Sequence, residues 1–300
     1  PKGKWFDDNP KDDISWDYRV PLKVFNISSE ERNTYVFLNI SSLPSRLRGN
    51  LNEESFRLID GEREIPSLRL KDRLLFPASL PPRSLKIFYL YFSQDKRIKR
   101  GKELSYSQVL ESESNLVKNP SFEEGDELPS FWEGGAEGRQ PPGTEMGLDS
   151  PGLFGNRCGK IYIPQGVQKA WTGWRQSVPV EPGKTYLYSA WLRCEDIRDG
   201  EVMLYAHYHN AKGELCKSVQ YASAGEPISG TRDWTNMFGV FKMPDDCAFF
   251  QLHLTMFATG TLWHDGVLLL EVEEAKLGNL EGRSDIKELT IWQVSAIIKV

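Results

Sequence analysis

Residues 171–193 read WTGWRQSVPVEPGKTYLYSAWLR, and the fold class turns on them. Glu181-Pro182-Gly183-Lys184 is turn chemistry: proline presets φ for a first central position and glycine admits the positive φ of a second. The flanking runs alternate in polarity as strands do, so the stretch predicts a β-hairpin. Tyr186, Tyr188, Ala190 and Leu192 make one apolar face. Leu187, Ser189, Trp191 and Arg193 make the other, which mixes indole, hydroxyl and guanidinium. On the earlier strand Trp174 and Gln176 share a side, opposite Arg175 and Ser177. Such mixed faces suit a sugar better than a dry core. An indole covers the C–H face of a pyranose, while fixed polar groups satisfy hydroxyls that would be costly to bury unpaired.

The same alternation recurs outward from this stretch. In EVMLYAHYHN, Met203, Tyr205, His207 and His209 share a side; in FFQLHLTM, Gln251, His253 and Thr255 do. If these faces coincide they line one groove with Trp174, Gln176, Trp191, Arg193, Tyr205, His207, Gln251 and His253. The bland alternative is a solvated sheet with Trp191 packed under a loop. Trp132 and Trp171 lie in loop-like surroundings and read equally as groove caps or buried anchors, whereas Trp234 and Trp263, beside Gly-Thr turns, read as packing residues. Exposed, coplanar Trp174 and Trp191 would favour the sugar; buried indoles would favour a spacer.

Frequent Pro and Gly among Val/Ile/Tyr/Phe/Trp-rich runs predict an all-β chain, and 300 residues are enough for two domains. The net charge of −5 argues against nucleic acid as a partner, because phosphate affinity needs clustered Lys and Arg. The basic cluster at residues 96–102 falls among turn residues and reads as solvated linker. No run approaches the ~18 apolar residues of a membrane helix. The sequence starts at Pro1 without an initiating Met or a signal peptide, which suggests a mature or excised fragment. Cys158, Cys194, Cys216 and Cys247 lack CxxC spacing. They read as buried thiols or, in an exported protein, as disulfides.

In chain order, residues 1–13 form a charged lead-in and residues 14–93 a run of short strands expected to close as a β-sandwich. Polar residues 94–114 read as a linker, and residues 115–275 as a second β-sandwich. Residues 276–300 read as a connector and either the start of a further module, since Trp292 aligns with Trp16, or a return strand. The opening WDYRVPLKVFN, the middle FRLIDG with IPS and the closing LKIFYLYF resemble immunoglobulin-like modules of exported bacterial surface proteins and polysaccharide-degrading enzymes. That resemblance implies an accessory or spacer module over residues 15–93, with Trp16 and Tyr89 in its core.

The second domain strings together NLVKNPSFEEGD, Trp132, GWRQSVPVEPGKTYLYSAWLR, HYHNAKGE, SGTRDWT and GTLWHDGVLLLE. In this order they resemble the jelly-roll carbohydrate-binding modules of families four and nine, over residues 115–275. The resemblance implies non-catalytic binding of a polysaccharide or oligosaccharide within a larger secreted or cell-surface protein, alongside other modules of the same chain. It also implies a structural calcium held by Glu123, in the N-P-S-F-E motif, and Asp265, in the W-x-D motif, with backbone oxygens near Asn119 and Lys160 as weaker additions.

A transition-metal site is the competing metal reading. His207, His209 and Glu214 spell H-x-H-x4-E, which resembles the first metal motif of cupins, but residues 210–213 look like a turn that would carry Glu214 away. No G-x-S-x-G elbow or P-loop is present, and the carboxylates cluster in turns rather than as a catalytic pair. The expected function is therefore carbohydrate binding without cleavage, with a structural spacer or protein-interaction segment as the alternative.

Overall fold

The computed structural model describes residues 5–6, 16–44 and 51–282; the alignment of Trp292 with Trp16 falls outside them. The chain forms two compact units. One combines residues 1–105 with 273–300, and the other, Tyr106–Val272, is inserted between them. Both are β-sandwiches.

In the first unit, β1 (Tyr18–Asn26), β3 (Arg57–Asp60), β4 (Arg63–Ile65) and β7 (Ser84–Phe92) form a sheet in the order β1-β7-β3-β4. β2 (Arg32–Asn39), β5 (Leu68–Leu70) and β6 (Arg73–Leu80) run β2-β6-β5 in a second. Alternation decides which residues meet: Val20, Leu22 and Val24 of β1 face Val36, Leu38, Phe76 and Leu80 in one core. Trp16 is buried as expected, in a smaller cluster with Ile59, Tyr91 and Ile98, whereas Tyr89 is only partly buried at its margin.

The stretch expected as a linker is divided and pinned down. Residues 94–105 belong to the first unit: Asn52 Nδ2 donates to the carbonyls of Asp95 at 2.7 Å and Ile98 at 2.8 Å. The Arg57 guanidinium bonds Lys99 O, and Lys102 N donates to Glu64 Oε1 at 2.7 Å. Residues 106–110 instead form a short helix, α1 (Tyr106–Leu110), of the second unit. Ile98, Val109 and Leu110 supply the apolar anchors that a polar average concealed. At the other end the chain returns to the first unit, where β15 (Lys276–Leu277) and β16 (Glu281–Gly282) pair with β1, and Arg19 Nε meets Glu281 Oε2 at 2.7 Å.

The second unit is a jelly roll built from three long strands, β12 (Thr185–His209), β13 (Tyr221–Lys242) and β14 (Phe249–Glu274), and four short ones. Each long strand bends and contributes to two sheets. The front sheet runs β8 (Glu133–Ala136), β11 (Thr172–Pro179), then residues 249–257, 201–209 and 221–224. The back sheet runs β9 (Glu145–Asp149), β10 (Cys158–Ile163), then residues 260–271, 185–195 and 230–242. Register shifts at residues 195–201 mark the bend in β12. At Gly260 φ is +113°, and a Cβ there would meet Asp196 O at 2.5 Å, so the crossing needs glycine.

Residues 171–193 do not make the expected hairpin. β11 pairs with β8 and β14, whereas the first half of β12 pairs with β13 and the far half of β14. The turn itself forms, with Gly183 at φ +74° and Lys184 N donating to Glu181 O at 3.3 Å, but it joins one sheet to the other. Packing explains the difference. Trp174 and Val178 look into the core from the front sheet, and Tyr188, Ala190 and Leu192 look in from the back. A flat hairpin would have set both apolar sets on one side; the arch lets them bury each other.

Candidate functional site

The inward residues of the front sheet fix its outward ones. Trp174, Leu204, Ala206, Leu252 and Leu254 are buried between the sheets, so their sequence neighbours Arg175, Tyr205, His207, Gln251 and His253 stand on the open face. Register aligns them in rungs. Glu133, Arg175, His253, Tyr205 and Ser223 cross the sheet as successive partners; Ser177, Gln251, His207 and Tyr221 cross it next.

This face carries an aromatic row. Trp171 and Tyr205 lie nearly parallel, at 9° with centroids 6.1 Å apart, and Tyr205 and Tyr221 at 16° and 5.8 Å. Phe257 supports Trp171 at 5.1 Å. Tyr221 is 47% exposed. Polar groups flank the rings: Gln251 Nε2 donates to Ser177 Oγ at 3.1 Å, and Gln251 Oε1 lies 2.9 Å from His253 Nε2. The His207 and His253 rings are 4.1 Å apart. Trp171, Glu137, Met203, Tyr205, His207 and Tyr221 enclose part of a hollow of about 460 Å³. Burial, aided by the charges of His209 and Arg175, pushes the His207 imidazole down to about 4. Burial, then His207 and Arg175, pushes His253 down to about 3. Both rings are therefore neutral at pH 7 and offer one donor and one acceptor each. Burial raises the Tyr205 phenol, so it stays a neutral donor.

Four of the residues expected in the groove meet here: Tyr205, His207, Gln251 and His253. The other four do not. Trp174 is 1% exposed and points into the core. Gln176, beside it, is a buried strut whose Oε1 accepts from Lys118 N at 2.8 Å and whose Nε2 donates to Lys118 O at 2.9 Å and Phe131 O at 3.3 Å. Trp191 and Arg193 lie on the outer side of the back sheet. Trp191 packs edge-on against Tyr106 and Phe154. The Arg193 guanidinium sits over Trp263 at 4.1 Å and Trp234 at 5.7 Å. The coplanar Trp174 and Trp191 that would have favoured a sugar are absent, and the open platform is built from Trp171, Tyr205 and Tyr221 instead. Arg175, Glu137 and Tyr221 escaped the sequence reading. A usable signal existed: Trp174 and Gln176 share parity with Val178 and Val180, and two valines mark an inward face.

Of the indoles placed in loops, Trp132 is buried against Phe122, with its Nε1 donating to Asn119 O at 3.1 Å, and is an anchor. The cupin-like constellation does not assemble. His209 Nδ1 contacts Gly213 O at 2.8 Å, and Glu214 Oε2 accepts from Asn210 Nδ2 at 3.2 Å within the 210–214 turn. All four cysteines are buried free thiols.

Glu123 and Asp265 grip one loop from two sides. Asp265 Oδ2 accepts from Leu153 N at 2.6 Å and Phe154 N at 2.8 Å, and Oδ1 from Gly266 N at 2.7 Å. Glu123 Oε1 accepts from Asn156 N at 2.9 Å and Arg157 N at 2.7 Å. Burial, with the Glu123 charge adding to it, lifts Asp265 to about 7 even against three backbone donors. Between them the two carboxylates accept five backbone N–H bonds, and a divalent cation bound there would relieve their repulsion.

Comparison with known proteins locates the match in this unit. The family model described as a carbohydrate binding domain matches residues 114–258. Comparison with curated proteins returns no significant match. Among solved structures, the CBM22-1 xylan-binding domain from Paenibacillus barcinonensis Xyn10C is 16% identical over 50% of this chain and 90% of its own, with a TM-score of 0.38. The C-terminal family 22 carbohydrate binding module of Clostridium thermocellum Xyn10B is 13% identical over 53% and 95%, at 0.40. The enzymatically active domain of a bacteriophage CBA120 tailspike protein is 15% identical over 57% of this chain but only 22% of its own length, at 0.43. Residues 114–258 thus match the model of a carbohydrate binding domain, within a jelly roll of an all-β chain.

Proposed function

We propose that the inserted jelly roll binds a polysaccharide or oligosaccharide on the open face of its front sheet, without cleaving it. The observation that carries this reading is the parallel row Trp171, Tyr205 and Tyr221 beside neutral His207, His253 and Gln251. The rings supply flat apolar surface for pyranose C–H faces. The imidazoles, the carboxamide and Arg175 supply donors and acceptors for hydroxyls at the ring edge. An open face buries modest area and displaces ordered water, so affinity per site is weak. Weak sites are useful when tethered, and the role follows: holding a glycan near a catalytic module of a larger secreted or cell-surface protein raises its effective concentration. The discontinuous first unit then serves as an immunoglobulin-like accessory domain, and calcium at Glu123 and Asp265 braces the jelly roll.

A panel of soluble plant, algal and animal polysaccharides titrated against the chain, followed by tryptophan fluorescence, tests the reading. Saturable change with one glycan class, weakened in Trp171→Ala while the circular dichroism is unchanged, supports it. A folded, calcium-loaded chain silent across the panel contradicts it.

A further inference from the structure

The floor of the same face gathers donors that a sugar does not require. Glu137, His207 and His253 each present one ligand atom, and the three atoms lie within 4.8 Å of one another. They come from separate places: His207 on β12, His253 on β14, and Glu137 just after β8, tied in by Glu137 N donating to Trp171 O at 2.7 Å. His207 and His253 are diagonal neighbours, because His253 pairs with Tyr205 and His207 with Gln251. We propose that Glu137, His207 and His253 form a binding site for one zinc-class divalent ion.

The donor chemistry selects the ion. Two imidazoles and a carboxylate suit borderline first-row ions, whereas calcium and magnesium take oxygen sets. An ion with bonds of about 2.0–2.2 Å holds tetrahedral ligands roughly 3.3–3.6 Å apart, so the set must contract by at most about 1.5 Å, through the exposed Glu137 side chain and the half-buried His207 ring. His253 is 4% exposed and fixed by its neighbours. With the proton on the Nε2 that faces Gln251 Oε1, its Nδ1 carries the lone pair. Arg175, cross-strand from His253, opposes the ion, and the Glu137 carboxylate offsets it. Three protein ligands leave a fourth position open toward the hollow. This site differs from the H-x-H-x4-E reading: it omits His209 and Glu214, and it stands whether or not the face binds glycan.

The test uses the whole chain without a histidine tag, stripped with chelator and dialysed. Cobalt(II) is titrated by visible d–d absorption, zinc is added in competition, and excess calcium serves as a control. The expected result is one saturable equivalent, displaced by zinc and not by calcium. Glu137→Gln, His207→Ala and His253→Ala each raise the apparent Kd at least about 10-fold, while His209→Ala and Glu214→Gln leave it unchanged. Glu137→Gln alters an exposed side chain, so it remains decisive if a histidine variant fails to fold. Absence of saturable binding, binding insensitive to Glu137→Gln, or loss on His209→Ala alone would overturn the assignment.

Discussion

Trp174→Ala separates a core indole from a glycan platform. The side chain is 1% exposed, and its ring contacts Gly134 so closely that a Cβ there would lie 2.5 Å from Cζ3. Its Nε1 has no hydrogen-bond partner, so truncation forfeits packing and leaves a cavity without breaking a polar bond. Buried Trp→Ala changes cost about 3–5 kcal/mol. A domain of roughly 150–250 residues loses about 2–4 °C per kcal/mol, so Tm falls by about 6–20 °C. Trp174→Phe retains most of the volume and costs roughly 1–2 kcal/mol. Because Arg175, His253 and Tyr205 point away from this indole, both variants, assayed below their own Tm, keep glycan affinity within about a factor of two, or ~0.4 kcal/mol. Differential scanning fluorimetry and a glycan titration give both numbers. An unchanged Tm combined with abolished binding would refute the argument, because it would place Trp174 on the ligand face.

Three further outcomes follow from the same geometry. Gln176→Leu leaves Lys118 N and the Lys118 and Phe131 carbonyls without their partner, and urea unfolding should show a loss of about 1–3 kcal/mol. If calcium bridges Glu123 and Asp265, saturating calcium raises Tm by several degrees, chelator reverses it, and Glu123→Gln abolishes the response, as a calorimetric scan would show. Cys158 and Cys247 are buried and their thiols pushed up to about 12 by burial first, so about one in 10⁴ is thiolate at pH 8. Native protein should therefore resist a disulfide reagent that, in urea, titrates four thiols.

Much of the fold was legible because strands alternate. Tyr186, Tyr188, Ala190 and Leu192 announce an inward face, and the structure buries all four. The partners of a strand are not written in the same way. A turn such as Glu181-Pro182-Gly183-Lys184 serves a hairpin or an arch equally, and only the opposed apolar faces of β11 and β12 decide between them. The open face of the front sheet was half legible for the same reason. Tyr205 with His207, and Gln251 with His253, were placed because their inward neighbours are plainly apolar. Trp174 misled because an indole fits both a core and a platform. Trp191 and Arg193 have the right parity but lie beyond the bend in β12, on the other sheet, and no local pattern reports that bend. The linker reading failed because Ile98 is buried and Asn52, Arg57 and Glu64 hydrogen-bond the backbone of residues 95–102, none of which a polar average reports.

The most direct test of the account compares the two outer faces. Tyr205→Ala removes the central ring of the front row, and Arg193→Ala removes the cation stacked on Trp263 behind the back sheet. In calorimetric titration with a glycan that binds the intact chain, burying about 50 Å² of ring face at ~25 cal/mol/Å² makes Tyr205 worth roughly 1.3 kcal/mol, or about ninefold in Kd. The account predicts that loss for Tyr205→Ala and unchanged affinity for Arg193→Ala. Retained affinity in folded Tyr205→Ala, with binding lost in folded Arg193→Ala, would place the glycan on the other sheet and contradict it.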